Sequence, residues 1–130
     1  MSGSILGLSA DEALEGAANC KAIGQIIERI GDKWTVLVVG CLSHGPMRFT
    51  VIQRTVPGVS HRMLTLTLRG LERDGLVKRT AFATIPPRVD YELTEAGQSL
   101  KEPLEVLAKW ARDWQPRIEA AQIEHDVKAA

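Results

Sequence analysis

The sequence predicts a mainly helical α+β fold carrying one small β-hairpin. Three observations support this. Apolar residues recur at helical spacing through much of the 130-residue chain. Two short segments, residues 76–83 and 88–93, have strand character and are separated by the stiff Ile85-Pro86-Pro87. The hairpin follows directly on two helices joined by a tight Pro57-Gly58 turn.

The elements are expected in the following order. Ser9 with Glu12 fits a capping box for a short first helix. Asn19 is expected to cap a second helix, which carries Ile23, Ile26, Ile27 and Ile30 on one side and is broken by Gly31-Asp32. Residues 33–43 are apolar along most of their length and should form the core helix. After the Gly45-Pro46 turn, Met47-Arg48-Phe49 supplies one rung of a small sheet. Thr50 with Gln53 repeats the capping-box spacing and opens a short helix that must stop before Pro57. Ser60 caps a helix running to about Asp74, and Gly75 is its C-terminal stop. Beyond the hairpin, Thr94 caps a last helix from Glu95 to about Ile123, which Pro103 and Pro116 should kink or divide. The length suits one domain. Residues 1–18 read as an N-terminal extension with a short helix, residues 19–123 as the folded domain with its dimerisation helices, and residues 124–130 as a tail.

Several function classes are disfavoured. No apolar run approaches the roughly 20 residues of a membrane helix, so no membrane partner is expected. No signal peptide is visible, and two cysteines, Cys20 and Cys41, make no disulfide framework. The expected compartment is the cytoplasm, with both thiols reduced. His44, His61 and His125 are scattered, and no Cys/His spacing suits zinc. No phosphate-binding glycine loop and no local nucleophile–base pair is present, so neither a cofactor nor an enzymatic activity is expected.

The formal net charge is zero, but its distribution is uneven. Between Gly45 and Arg88 stand eight basic residues against two acidic ones, a local charge of +6. The residues before this block sum to −2 and those after it to −4. A DNA-binding protein needs a local positive surface, not a positive total.

Helix, turn, helix and hairpin in this order form a winged helix-turn-helix, whose second helix enters the major groove. On that helix Leu64, Leu68 and Leu71 make one buried stripe, flanked by Met63. The opposite side shows His61, Arg62, Thr65, Leu66 and Arg69. Arginine pairs bidentately with guanine, and a threonine methyl can touch a thymine methyl. Backbone N–H groups at the Ser60 end can hold a phosphate. Thr50 opens the preceding helix on the same side, and Lys78, Arg79 and Arg88 lie on the wing, where a cation grips phosphate or enters the minor groove. The expected partner is a double-stranded DNA operator.

A homodimer is expected from the last helix. Leu100, Leu104, Leu107, Ala111 and Trp114 form a long stripe there, with Val106 and Trp110 beside it. One small core cannot bury these together with Ile23, Ile26 and Ile27, and such a patch calls for a partner surface.

Five ordered segments closely resemble the HxlR family of bacterial winged-helix regulators. They are Ile30-Gly31-Asp32-Lys33-Trp34-Thr35, Gly45-Pro46-Met47-Arg48-Phe49, Val56-Pro57-Gly58-Val59-Ser60, Leu71-Glu72-Arg73-Asp74-Gly75-Leu76-Val77 and Pro86-Pro87-Arg88-Val89-Asp90-Tyr91-Glu92-Leu93-Thr94. The resemblance spans about residues 20–114. It implies a homodimer built from N- and C-terminal helices, with two recognition helices on a two-fold operator. It places Arg48, Ser60, His61, Arg62, Thr65 and Arg69 on the DNA-facing surface and Arg88 on the wing. Two positions depart from it: Thr67 stands where many members have a basic residue, and Val51 where many have Glu.

Cys20 is the candidate input. Next to Asn19 it would occupy the first turn of a helix, beside Lys21, and both a helix N-terminus and a cation favour thiolate. The resemblance adds that several family members sense quinones, aldehydes or oxidants through a cysteine at about this position. Alkylation or oxidation of Cys20 would then release DNA; the alternative is an inert thiol near the dimer interface. Cys41 reads as packing in the core helix, while remaining available as a disulfide partner for Cys20. The expected function is a sequence-specific transcriptional regulator, a repressor, responding to a small electrophile, oxidant or aromatic effector. Its rivals are a winged helix used for protein–protein contact, a regulator answering to a non-covalent ligand, and a thiol enzyme using Cys20.

Overall fold

The computed structural model describes residues 17–130. In chain order they form α1 (Ala17–Ile30), α2 (Lys33–Leu42), β1 (Met47–Arg48), α3 (Phe49–Thr55), α4 (His61–Arg73), β2 (Val77–Phe82), β3 (Arg88–Leu93), α5 (Glu95–Ser99) and α6 (Lys101–Ala129). The expected Ser9–Glu12 capping box lies outside the described residues.

The most apolar helix sits at the centre. Asp32 starts α2 by accepting hydrogen bonds from the N–H groups of Trp34 and Thr35 at 3.1 and 3.2 Å. Val38, Val39, Cys41 and Leu42 of α2 then pack with Ile52, Val56, Val59, Leu64, Leu68, Leu71, Val77 and Leu93. The leucine stripe of α4 is therefore buried as expected, with Leu64, Leu68 and Leu71 at most 1% exposed. Each such side chain contributes about 1.5–3 kcal/mol by burial, enough to fix which face of α4 turns outward.

The three strands form one antiparallel sheet in the order β1-β3-β2. Met47 lies opposite Tyr91 and Arg48 opposite Asp90. The hairpin runs in register from Val77 and Leu93 to Phe82 and Arg88. Between α4 and the hairpin, Gly75 takes φ +75°, a conformation costly for any residue with a Cβ. That allows the Gly75 N–H to donate to Glu72 O and the Leu76 N–H to Leu71 O, closing the helix in a Schellman motif.

Three local expectations are corrected. Asn19 does not cap α1; the helix already includes Ala17 and Ala18, both strong helix formers, and Asn19 lies within it. Thr50 does not cap α3. β1 passes directly into the helix, with Arg48 as its extended first boundary residue and no side-chain cap among the described residues. The last helix is divided at Leu100 rather than at a proline. Pro103 falls in the first turn of α6, where a missing N–H costs nothing. Pro116 stays inside a helix that runs on to Ala129, six residues beyond the expected end.

Candidate nucleic-acid interface

The second helix of the helix-turn-helix is held at its N-terminus by two side chains. Ser60 Oγ accepts from the Met63 N–H at 3.1 Å, the expected cap. The His61 ring lies against Phe49 of α3, with centroids 4.7 Å apart and planes tilted by 50°. Aromatic pairs favour such tilted contacts. This stack ties the start of α4 to the first helix of the motif.

With the leucines buried, His61, Arg62 and Arg69 are exposed and Thr65 is half-buried, its hydroxyl donating to His61 O at 2.8 Å. Leu66 is also exposed, at 51%. Thr67 is not part of this surface. It is buried at 8% exposure, so its departure from the family pattern concerns packing rather than contact with DNA.

His61, Thr65 and Arg69 line an open groove of about 510 Å³ together with Phe49, Glu72, Arg79, Val89 and Tyr91. The wing cations do not share one face. Side chains alternate between the two faces of a strand. Arg79 shares a face with Val77, Val89 and Tyr91 and turns toward α4, whereas Lys78, Phe82, Arg88 and Asp90 lie on the other face.

On that second face Arg88 is already engaged. Its Nε and Nη2 donate to the two carboxylate oxygens of Asp90 at 3.0 and 2.8 Å, and its guanidinium lies 4.8 Å from the centre of the Phe82 ring. The hydrogen bonds from Arg88 hold the Asp90 carboxyl below its ordinary pKa against a weaker opposing effect of desolvation, with lesser help from the charges of Arg88 and Arg48. Arg48 and Thr50 are exposed at the β1–α3 junction, and Lys78 on β2 is exposed as well.

Sequence reasoning missed Phe49 and Asp90. Asp90 had a legible signal, since residues two apart on a strand share a face. Phe49 had none, because its contact with His61 crosses the turn.

The expected dimer residues are largely uncovered within one chain. Ile26, Ile27, Leu107, Trp110 and Trp114 are 42–59% exposed, and Ala111 is exposed too. Trp110 and Trp114 stack with centroids 6.5 Å apart. Ile23 is half-buried, and half-buried Leu104 packs against the chain's own core. A further open groove of about 760 Å³ separates α1 from α4, lined by Ile26, Arg29, Leu66, Thr67 and Asp74 among others.

The two cysteines differ sharply. Cys41 is buried, its thiol lies 3.2 Å from the Met47 sulfur, and burial pushes its pKa up against a weaker effect of Thr55. Cys20 is half-buried on α1. Because Asn19 lies within the helix, the capped first turn proposed for Cys20 is not formed at that point. Among the described residues no cluster of His, Cys, Asp and Glu could hold a metal, and no helix is long and apolar enough to cross a membrane.

Comparison with known proteins settles the family. The HxlR-like helix-turn-helix family model matches residues 29–119. The chain belongs to the HxlR-like family. An HTH-type transcriptional regulator from Methanothermobacter thermautotrophicus is 40% identical over 106 residues, covering 82% of this chain and 80% of that protein. Among solved structures, the transcriptional regulator ytfH from Salmonella typhimurium superposes with a TM-score of 0.68 at 32% identity, covering 75% of this chain and 88% of its own. The redox regulator HypR in its reduced form gives 0.70 at 33% identity, covering 76% and 98%. This HxlR-like protein is thus a transcriptional regulator with a winged helix-turn-helix DNA-binding fold.

Proposed function

We propose that this HxlR-like protein is a homodimeric repressor that reads a pseudo-palindromic operator with α4 and grips the flanking backbone with its wing. The observation that carries this reading is the outward face of α4. Once the leucine stripe is buried, His61, Arg62, Thr65 and Arg69 stand together beside the Ser60 cap. Arg62 and Arg69 are the base-reading candidates. Arg48, Thr50, Lys78, Arg79 and Arg88 flank them and suit phosphate contacts, which fix register without reading sequence.

The dimer reading rests on α6. Among the described residues none of this 29-residue helix is buried, while Leu107, Trp110 and Trp114 share one side of it. Ile23, Ile26 and Ile27 of α1 supply the second apolar surface. A second copy is the occupant the family relationship supports.

For the input, Cys20 reacts with an electrophile or oxidant and thereby shifts the dimer off its operator. Its partial exposure supports this over Cys41, whose burial disfavours thiolate. The likeness to HypR, a redox regulator solved in reduced and oxidised forms, supports the same class of input.

The test is footprinting and gel shift on the intergenic DNA flanking the gene, at low and physiological salt. Submicromolar binding to a two-fold site, weakening steeply with salt, is expected. No protection at low salt would leave the winged helix as a protein-contact module. Cys20→Ser should no longer be released by quinone or hypochlorite. Normal release of that variant removes Cys20 as the input and favours a non-covalent ligand, for which the α1–α4 groove is the available space.

A further inference from the structure

One contact joins α1 directly to the far end of the recognition helix. Arg29, the penultimate residue of α1, pairs through its Nε with the Asp74 carboxylate. Asp74 is the residue that closes α4, and its own N–H donates to Gly70 O at 3.1 Å. On the way to Asp74 the Arg29 guanidinium lies across Gly70, where any Cβ would overlap it.

Gly70 therefore needs an explanation other than a turn. It sits in the interior of α4, where glycine is the poorest residue short of proline. What its missing side chain supplies is a notch for Arg29. Arg73 also approaches Asp74, but at 4.0 Å and with a side chain 82% exposed. Arg29 and Asp74 are less open, at 36% and 27%. An ion pair with this exposure adds little to overall stability. Its effect is better sought in orientation, since α4 is already anchored at its other end by Ser60 and by His61 against Phe49.

We propose that Arg29 is a positioning residue for operator recognition: the Arg29–Gly70–Asp74 contact sets the tilt of α4 relative to α1. Given the homodimer proposed above, with α1 in its interface, that tilt sets the half-site spacing the two recognition helices accept. Leu66 on α4 and Ile26 on α1 line the groove that also holds Arg29 and Asp74.

The test uses the full chain and double-stranded DNA enriched by the wild-type protein from a random library. Paired half-sites are then re-synthesised with spacers lengthened and shortened by single base pairs. Arg29→Ala, Gly70→Ala and Asp74→Asn are compared with wild type for affinity, spacer preference and melting temperature.

Gly70→Ala should raise the melting temperature, because alanine favours the helix, while displacing Arg29. Arg29→Ala should leave the melting temperature unchanged or lower it. Both should bind the preferred spacing about tenfold more weakly and tolerate altered spacers, with random-sequence DNA bound as by wild type. Asp74→Asn, which keeps the side-chain shape but removes the charge that draws Arg29, should shift the spacer preference in the same direction. A loss that follows melting temperature would mark the contact as merely structural and overturn the proposal. So would variants with wild-type affinity and spacer profile. Enrichment of lone half-sites by the wild type would overturn the dimer reading, and this proposal with it.

Discussion

Arg88 and Asp90 form a bidentate pair on the outer face of the wing, with N–O distances of 3.0 and 2.8 Å. A cation expected to meet DNA is thus held by a carboxylate that stands just beyond the basic block. Asp90 also lies opposite Arg48 in the sheet. It aims Arg88 while subtracting a charge from the surface the two arginines create. Asp90→Asn should therefore strengthen binding to random-sequence DNA several-fold and steepen the salt dependence by about one phosphate contact, while narrowing the margin between operator and random DNA. Titrations at several salt concentrations check this; an unchanged slope would show that Arg88 does not reach DNA.

The same pair predicts a pH effect. The Asp90 carboxyl is held below its ordinary value of 3.8 by its hydrogen bonds from Arg88. A folded-state pKa below the unfolded one stabilises the fold above the unfolded value, and that contribution is lost as pH falls through the folded value. Melting curves between about pH 5 and pH 2 should show a component of acid destabilisation that Asp90→Asn lacks. Parallel curves for the two proteins would assign the acid sensitivity to other carboxylates.

Arg62→Ala should cost about 1–3 kcal/mol of operator binding and relax the base preference at one position in each half-site. Lys78→Ala should instead weaken operator and random DNA alike. Competition assays with single-base operator variants distinguish the two patterns. Equal losses on all sequences would move Arg62 to the phosphate-gripping group.

Stability should divide between the core and the cap of α4. Leu68→Ala removes a side chain that is 1% exposed and should cost about 2–5 kcal/mol. Ser60→Ala leaves the Met63 N–H without its side-chain acceptor and should cost about 1 kcal/mol. Denaturant titrations measure both, and a Ser60→Ala loss matching that of Leu68→Ala would contradict this account.

Trp114→Glu places a charge in the exposed stripe of α6. Sedimentation should show a shift toward monomer, with operator binding reduced accordingly. A variant that remains dimeric would place the interface elsewhere.

The parts of the fold most legible in the sequence were those fixed by local chemistry. The leucine stripe of α4, the Ser60 cap, the Gly75 stop and the residues of β3 all follow from spacing or from backbone preference. Asn19 and Thr50 misled because a residue that can cap does so only where the backbone turns into the helix there, and at neither position does it. Thr67 shows that a place in a family pattern does not report which way a helix face turns, since it is buried. The placement of the wing cations on two faces was present in strand alternation, since Lys78 and Arg79 are neighbours and must point apart. The Arg29–Gly70–Asp74 contact had no comparable signal. It joins residues about forty positions apart in the chain, and only tertiary packing brings them together.

The long α6 carries one more consequence. From Lys109 onward, all of its residues are exposed among the described residues. Isolated helices draw little stability from their own backbone bonds, and most helices in proteins persist because something packs against one face. On the homodimer reading a second copy packs against this stretch, so its helicity should depend on how many copies are present. Dilution should fray the C-terminal arm before it touches the reading head, and the amount of protein in the cell would then decide how much of it is competent to bind.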